Sequence, residues 1–277
     1  MSLLGSTQSD KSQLVYKIDG KEIAYPRLSK DGQRILYQSN QKGNWQLFIM
    51  DTTNGSQTPL LTDSYNNNFP DWSYDNQRVA FVSDRDGNEE IYVMRTNGED
   101  LKRITNNAER DIHPYFSPDG QYLLFNSTRA NGSFDIFRYT LATGELKQLS
   151  ATSTDETCAR YSPDMKHIVY LQNGPTSDDV MIADSLNTTQ QNISGTPTIR
   201  DGWPMFSYDG KWIFYSSMES GSFCIYKIKL DGSGKTQLTQ AKTDEEDARV
   251  SLSRDGKNLI YNKRYDDTIE IRILKLS

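Results

Sequence analysis

Five side chains recur at one place in this chain and carry chemistry: Asn67, Asp111, Glu156, Asp201 and Asp247. Each stands six residues before a serine of a repeated Ser-x-Asp motif, and a sixth copy holds Ile23 there. If the copies are arranged around an axis, four carboxylates and an amide converge at one end of a central channel. Such a negative mouth is able to hold a cation, a basic peptide or a polar small molecule. A calcium site would ask for six or more oxygens, which spacing alone does not supply. Arg110, Arg160, Arg200 and Arg249 lie close by and are able to neutralise the ring. The plainer reading gives each carboxylate a structural task, capping the first turn of its strand or bonding the backbone of a neighbouring unit. His113 lies in the same stretch, with Asp111 as its one local candidate for a catalytic partner. Its counterparts in the other copies are Tyr25, Phe69, Cys158, Trp203 and Arg249, a mostly bulky set that favours packing.

The element that positions these residues is the Ser-x-Asp motif itself. The six copies begin at Ser29, Ser73, Ser117, Ser162, Ser207 and Ser253, in steps of 44, 44, 45, 45 and 46 residues. An apolar residue precedes every Ser, and Pro26, Pro70, Pro114 and Pro204 stand three residues ahead in four copies. Asp hydrogen-bonds the backbone just beyond it, and Gly accepts positive φ without a steric clash, so each motif reads as a tight turn between strands. An apolar strand follows each turn, such as Arg78–Ser83. A polar turn, a third strand such as Ile91–Met94, a second turn such as Asn97-Gly98 and a short fourth strand complete the unit. A period in the mid-forties with four short strands is the signature of a propeller blade. The expected fold is therefore all-β: a six-bladed β-propeller of four-stranded antiparallel blades. The last copy lacks a fourth strand, and Gln13–Asp19 is a short alternating strand with no unit of its own. The N-terminal strand is thus expected to complete the last blade and shut the ring, which removes a sheet edge.

Composition fits that architecture. The 277 residues are 35% hydrophobic with 16 Tyr, as expected where each blade buries two modest faces against its neighbours. The formal net charge of −6 disfavours nucleic acid as a partner. Cys158 and Cys224 make neither a disulfide scaffold nor a zinc framework, and both read as small buried residues. No apolar run reaches membrane-spanning length. Residues 1–12 are polar and Ser-rich, and read as a disordered lead-in or as a remnant joined to a mature N-terminus whose signal peptide has been removed. Residues 13–277 are expected to be a single domain and a monomer.

The runs Asp111-x-x-Pro114-x-x-Ser117-Pro118-Asp119-Gly120 and Phe81-Val82-Ser83-Asp84-Arg85-x-Gly87-x-x-x-Ile91-Tyr92 resemble the repeat of TolB-type propellers. The resemblance spans residues 13–276. It implies a six-bladed ring of the kind found in the periplasmic protein TolB and in many bacterial envelope proteins, hence a periplasmic or otherwise exported protein. It also implies that Arg85, Arg129 and Arg264 act as internal braces to Glu90, Asp135 and Glu270. Prolyl oligopeptidase-type peptidases and oligogalacturonate lyases carry similar repeats. The chain has no Gly-x-Ser-x-Gly elbow of the peptidases, no counterpart of TolB's extra N-terminal domain, and two histidines where the lyases use several around a metal. Fold likeness does not transfer function. The expected function is a non-catalytic scaffold engaging a protein or peptide at the channel mouth through Asn67, Asp111, His113, Glu156, Asp201 and Asp247. No cofactor is expected beyond a cation at the acidic mouth. The alternative is a lyase or hydrolase acting on a carbohydrate or peptide at the same mouth.

Overall fold

In the computed structural model, which describes residues 12–195 and 197–276, 24 strands form six four-stranded antiparallel sheets. The chain enters through β1 (Gln13–Asp19). Blade one follows as β2 (Ile23–Leu28), β3 (Arg34–Lys42), β4 (Asn44–Asp51) and β5 (Gln57–Pro59). Blade two is β6 (Asn67–Trp72), β7 (Arg78–Ser83), β8 (Glu90–Arg95) and β9 (Lys102–Arg103). Blade three is β10 (Asp111–Phe116), β11 (Tyr122–Ser127), β12 (Asp135–Thr140) and β13 (Leu146–Gln148). Blade four is β14 (Asp155–Tyr161), β15 (His167–Asn173), β16 (Asp178–Asp184) and β17 (Gln190–Asn192). Blade five is β18 (Asp201–Phe206), β19 (Trp212–Ser217), β20 (Cys224–Lys229) and β21 (Thr236–Gln237). Blade six takes β22 (Glu245–Leu252), β23 (Asn258–Tyr265) and β24 (Thr268–Lys275), and β1 is its fourth strand. Residues 1–11 of the expected lead-in lie outside the described residues.

The turn chemistry explains why the repeat was so regular. In all six copies the Ser hydroxyl donates to the Asp carboxylate at 2.5–2.7 Å. The same Ser oxygen accepts the backbone N–H five residues on, and the Asp accepts the N–H two residues on, as at Tyr122 and Gln121. One Ser and one Asp thus accept two backbone N–H groups of each turn, beside the backbone bonds that close it. The residue after the Asp has positive φ in every copy; Gly fills it four times, and Asn76 and Met165 accept it at 56° and 63°.

Packing makes the ring. Six clusters of buried side chains lie in the six seams between neighbouring blades, and each draws on both sides. Between blades two and three, Val82 and Val93 meet Phe125 and Phe137. Burying such a side chain contributes about 1.5–3 kcal/mol, available only once the next blade is present. An aromatic on the second strand of every blade, Tyr37, Phe81, Phe125, Tyr170, Tyr215 and Tyr261, is almost wholly buried. Three of these stack on an aromatic of the third strand, as Tyr37 does on Phe48 at 5.5 Å between centroids, and Tyr215 lies tilted against Tyr226.

Closure follows the expected register. Gln13 faces Ile273, Ile18 faces Ile269 and Asp19 faces Thr268. Val15, Tyr16 and Ile18 pack onto the seam between blades six and one, beside Tyr37 and Ile271. The Thr268 hydroxyl donates to Asp19 at 2.8 Å.

Candidate functional site: the central channel

The six innermost strands line the channel, and each carries the same defect. Register slips by one residue between Ala24 and Arg27, Asn68 and Asp71, Ile112 and Tyr115, Thr157 and Arg160, Gly202 and Met205, and Ala248 and Ser251. These are β-bulges, which leave one residue unpaired and re-aim its side chain. The residues at the bulges are Tyr25, Phe69, His113, Cys158, Trp203 and Arg249. All six have φ between 51° and 59°, a region such side chains seldom enter. Amides of the preceding blade hold two of the bulges: Gln38 accepts the Phe69 N–H at 2.6 Å and Asn126 accepts the Cys158 N–H at 3.0 Å.

The bulges send these six side chains into the channel, where they meet. Tyr25 and Phe69 rings lie 5.0 Å apart, Phe69 and His113 4.4 Å, and Arg249 lies over both Tyr25 and Trp203 at 5.3 and 4.8 Å. His113 Nδ1 is 3.9 Å from Cys158 Sγ. Together they form an aromatic and cationic floor, set back from the end of the channel where the innermost strands begin. Phe69, His113, Trp203 and Arg249 stay half-buried, and Tyr25 and Cys158 are buried.

A second layer lies two residues further along: Arg27, Asp71, Tyr115, Arg160, Met205 and Ser251. Arg160 lies over Tyr115 at 3.9 Å, Arg27 reaches the Tyr115 hydroxyl at 3.4 Å, and Arg27 Nε stands 3.7 Å from Asp71. Asp71 accepts the Phe116 N–H at 3.3 Å. Sequence reasoning missed Arg27 and Asp71. The signal that marks them is a charged residue in phase along an otherwise apolar inner strand.

The expected acidic mouth is not found. Asn67, Asp111, Glu156, Asp201 and Asp247 are each 0–2% exposed. Each leaves the channel for the seam with the preceding blade. Asp111 accepts from Arg129 at 2.5 Å and from Asn107 at 2.8 Å, and its N–H donates to the Glu89 carbonyl. Asn67 joins Asp63 and Arg85 at 2.9 and 3.1 Å, and Asp247 lies 3.4 Å from Lys263. The Glu156 and Asp247 N–H groups donate to the carbonyls of Phe134 and Phe223 in the preceding blade. Burial pushes the Asp111 and Glu156 carboxyls up and carries Asp201 to about 6, with the Ser194 and Ser217 hydroxyls pulling the other way. The physical reason is the bulge: a regular pleat would put the first residue of the strand and the residue two positions later on one face, and the register slip re-aims the second. Asn67, Asp111 and Asp247 thus have side-chain partners, whereas neither carboxylate oxygen of Glu156 or Asp201 has one; of the six candidates, His113 alone faces the channel.

The arginines are rearranged too. Arg85, Arg129 and Arg264 brace Asp63, Asp111 and Glu22, not Glu90, Asp135 and Glu270. Glu90 pairs with Arg103 instead, at 3.1 Å. Arg110 pairs with Glu89 and Arg200 with Asp178, while Arg160 and Arg249 enter the channel. Among the described residues, no three His, Cys, Asp or Glu side chains gather as a metal site would need. His113 and Cys158 do not form an activated pair. Burial raises the Cys158 thiol, and burial with four nearby arginines holds His113 down at about 3, so both are neutral at pH 7.

Comparison with known proteins decides the family. A model of the TolB beta propeller domain matches residues 7–198. The chain belongs to the TolB-type propeller family. Tol-Pal system protein TolB of Francisella tularensis is 37% identical over 76 residues, 27% of this chain and 17% of that one. The crystal structure of TolB from Acinetobacter baumannii superposes with a TM-score of 0.71 at 25% identity, covering 80% of this chain and 55% of that protein. A putative TolB from Agrobacterium tumefaciens gives 0.73 at 18% identity, covering 92% and 91%. The TolB-type chain described here thus spans about half the Acinetobacter protein. An oligogalacturonate lyase in complex with manganese shares the fold at a TM-score of 0.64 and 13% identity, covering 91% of this chain and 88% of that one.

Proposed function

We propose that this TolB-type ring is a non-catalytic binding scaffold of the bacterial cell envelope, and that it takes a protein or peptide partner at the channel mouth above Tyr25, Phe69, His113, Trp203 and Arg249. The observation that carries the reading is the floor itself. Strained bulges hold Phe69, His113, Trp203 and Arg249 half-buried in the channel, beside a buried Tyr25. Trp, Tyr and Arg in such settings are the side chains that anchor protein interfaces. Rings held rigid before binding lose little entropy when a partner covers them. The neutral His113–Cys158 pair adds no nucleophile, which favours binding over chemistry there. Export to the periplasm is inferred from the family, whose relative in Francisella is named for the Tol-Pal system.

The test is capture from an envelope extract by immobilised wild-type protein and by a Phe69→Ser, Trp203→Ser double variant. The reading requires a partner that is retained by the wild type and lost by the variant while the fold, followed by circular dichroism, is kept. An identical set of captured proteins rejects it. Asp111→Ala and Asp201→Ala are unsuitable probes, because they act on blade seams.

A further inference from the structure

The opposite end of the channel, where the Ser-x-Asp turns converge, holds a separate cavity of about 50 Å³. Its walls are Arg27, Asp71 and Arg160 from the second channel layer, and Tyr74, Tyr208 and Arg254 from the turns, with Lys30 at the rim. The Tyr74 and Tyr208 rings are in contact, 6.1 Å between centroids, and Arg254 lies over Tyr74 at 4.2 Å. Four cationic side chains therefore line the cavity against one carboxylate, in a chain whose formal net charge is −6.

The imbalance is deep, not superficial. Arg27 is 3% exposed, and its Nε has no hydrogen-bond partner. Its other contacts are long: 3.4 Å to the Pro26 carbonyl, 3.5 Å to the Val250 carbonyl and 3.4 Å to the Tyr115 hydroxyl. A second buried donor, Arg160 Nε, also lacks a partner. A guanidinium removed from water at this depth is costly unless its donors are met. Asp71 meets little of that need. It stands 3.7 Å from Arg27, and burial pushes its own carboxyl up, which weakens it as a counter-charge.

We infer that this cavity is an anion site that takes one carboxylate, presented either as a small free acid or at the end or on a side chain of a peptide. A planar carboxylate matches the fork of a guanidinium and can be held by two parallel N–H donors. The cavity is small, with room for a carboxylate head and a few waters. The site lies at the other end of the channel from the aromatic floor, so it stands whether or not that floor binds a partner.

The probe is sodium acetate, titrated at constant ionic strength against sodium perchlorate and followed by calorimetry and thermal denaturation. The expected result is saturable acetate binding that raises Tm in the wild type. The apparent Kd should weaken at least tenfold in Arg254→Gln, and in Arg160→Gln if that variant folds. Lys30→Gln, at the exposed rim, covers the case in which both arginine variants are unstable and should weaken binding by a smaller factor. Three peptides then separate the sources: one with a free C-terminal carboxylate, its amidated form, and an amidated form carrying an internal Glu. Competition by the first alone assigns a chain terminus, competition by the first and third assigns any peptide carboxylate, and competition by none assigns a free small acid. A Tm that depends only on ionic strength, with no saturable heat for acetate, overturns the proposal.

Discussion

His113 Nδ1 and Cys158 Sγ lie 3.9 Å apart inside the channel, yet neither carries charge at neutral pH. The histidine is held at about 3, first by burial and then by Arg27, Arg160, Arg110 and Arg249. In the unfolded chain an imidazole titrates near 6.5. Between about pH 6.5 and 3 the unfolded state therefore binds a proton that the native state refuses, and stability falls as pH falls, by up to about 1.4 kcal/mol per unit. His113→Phe removes this loss. Denaturant unfolding of both proteins from pH 7 to 4 should show the variant gaining on the wild type towards acid. Parallel curves would mean that the imidazole takes up protons in the native state.

Asp201 works with the opposite sign. Its native value of about 6 lies above the ordinary carboxyl range, because burial penalises the charge. Between about pH 6 and 4 the native state takes up a proton that the unfolded chain does not, so stability rises as pH falls through that window. Asp201→Asn should be more stable than the wild type at pH 8, by up to about 3 kcal/mol from the size of the shift. The gap should close below about pH 4. Chemical denaturation at the two pH values measures it, and a variant weaker than the wild type at pH 8 would show that the charge is compensated.

Two buried tyrosines at equivalent positions should respond differently to loss of their hydroxyls. Tyr37 Oη donates to Gln57 at 2.8 Å, whereas Tyr215 Oη has no partner. Tyr37→Phe should cost about 1 kcal/mol, and Tyr215→Phe should be neutral or stabilising. Thermal unfolding of the two variants gives the comparison directly, and equal losses would refute it.

Removal of residues 1–19 takes away the closing strand. The outer edge of β24 is then left unpaired, and the apolar surface under Val15, Tyr16 and Ile18 is uncovered. An open edge of this kind recruits other chains. The truncated protein should elute as dimers or larger species in size-exclusion chromatography and melt at a lower temperature. A monomer with unchanged Tm would mean that closure contributes nothing to stability.

The architecture was legible because Ser29, Ser73, Ser117, Ser162, Ser207 and Ser253 each do the same local job with the following Asp. A motif that satisfies a hairpin by its own side chains leaves its period in the sequence whatever surrounds it. The closing strand was legible for a related reason: β1 has strand alternation, and the last unit lacked one. The site was less so. Alternation in a regular strand puts Asp111 and His113 on one face, and the bulge that separates them depends on pairing with the next strand, which no local pattern records. Pro26, Pro70, Pro114 and Pro204 stand directly after bulge residues and were the nearest hint. The aromatics of the innermost strands divide on the same principle. Phe69, Tyr115 and Trp203 turn into the channel, while Trp72, Tyr161 and Phe206 fill seams.

The six bulges hold a tyrosine, a phenylalanine, a histidine, a cysteine, a tryptophan and an arginine in nearly one backbone conformation. The backbone at this level is therefore indifferent to what it displays. Relatives with the same ring are free to exchange the displayed groups one at a time, much as type is changed in a fixed frame. A new specificity would then require no new architecture, and a laboratory library confined to these six codons would sample it.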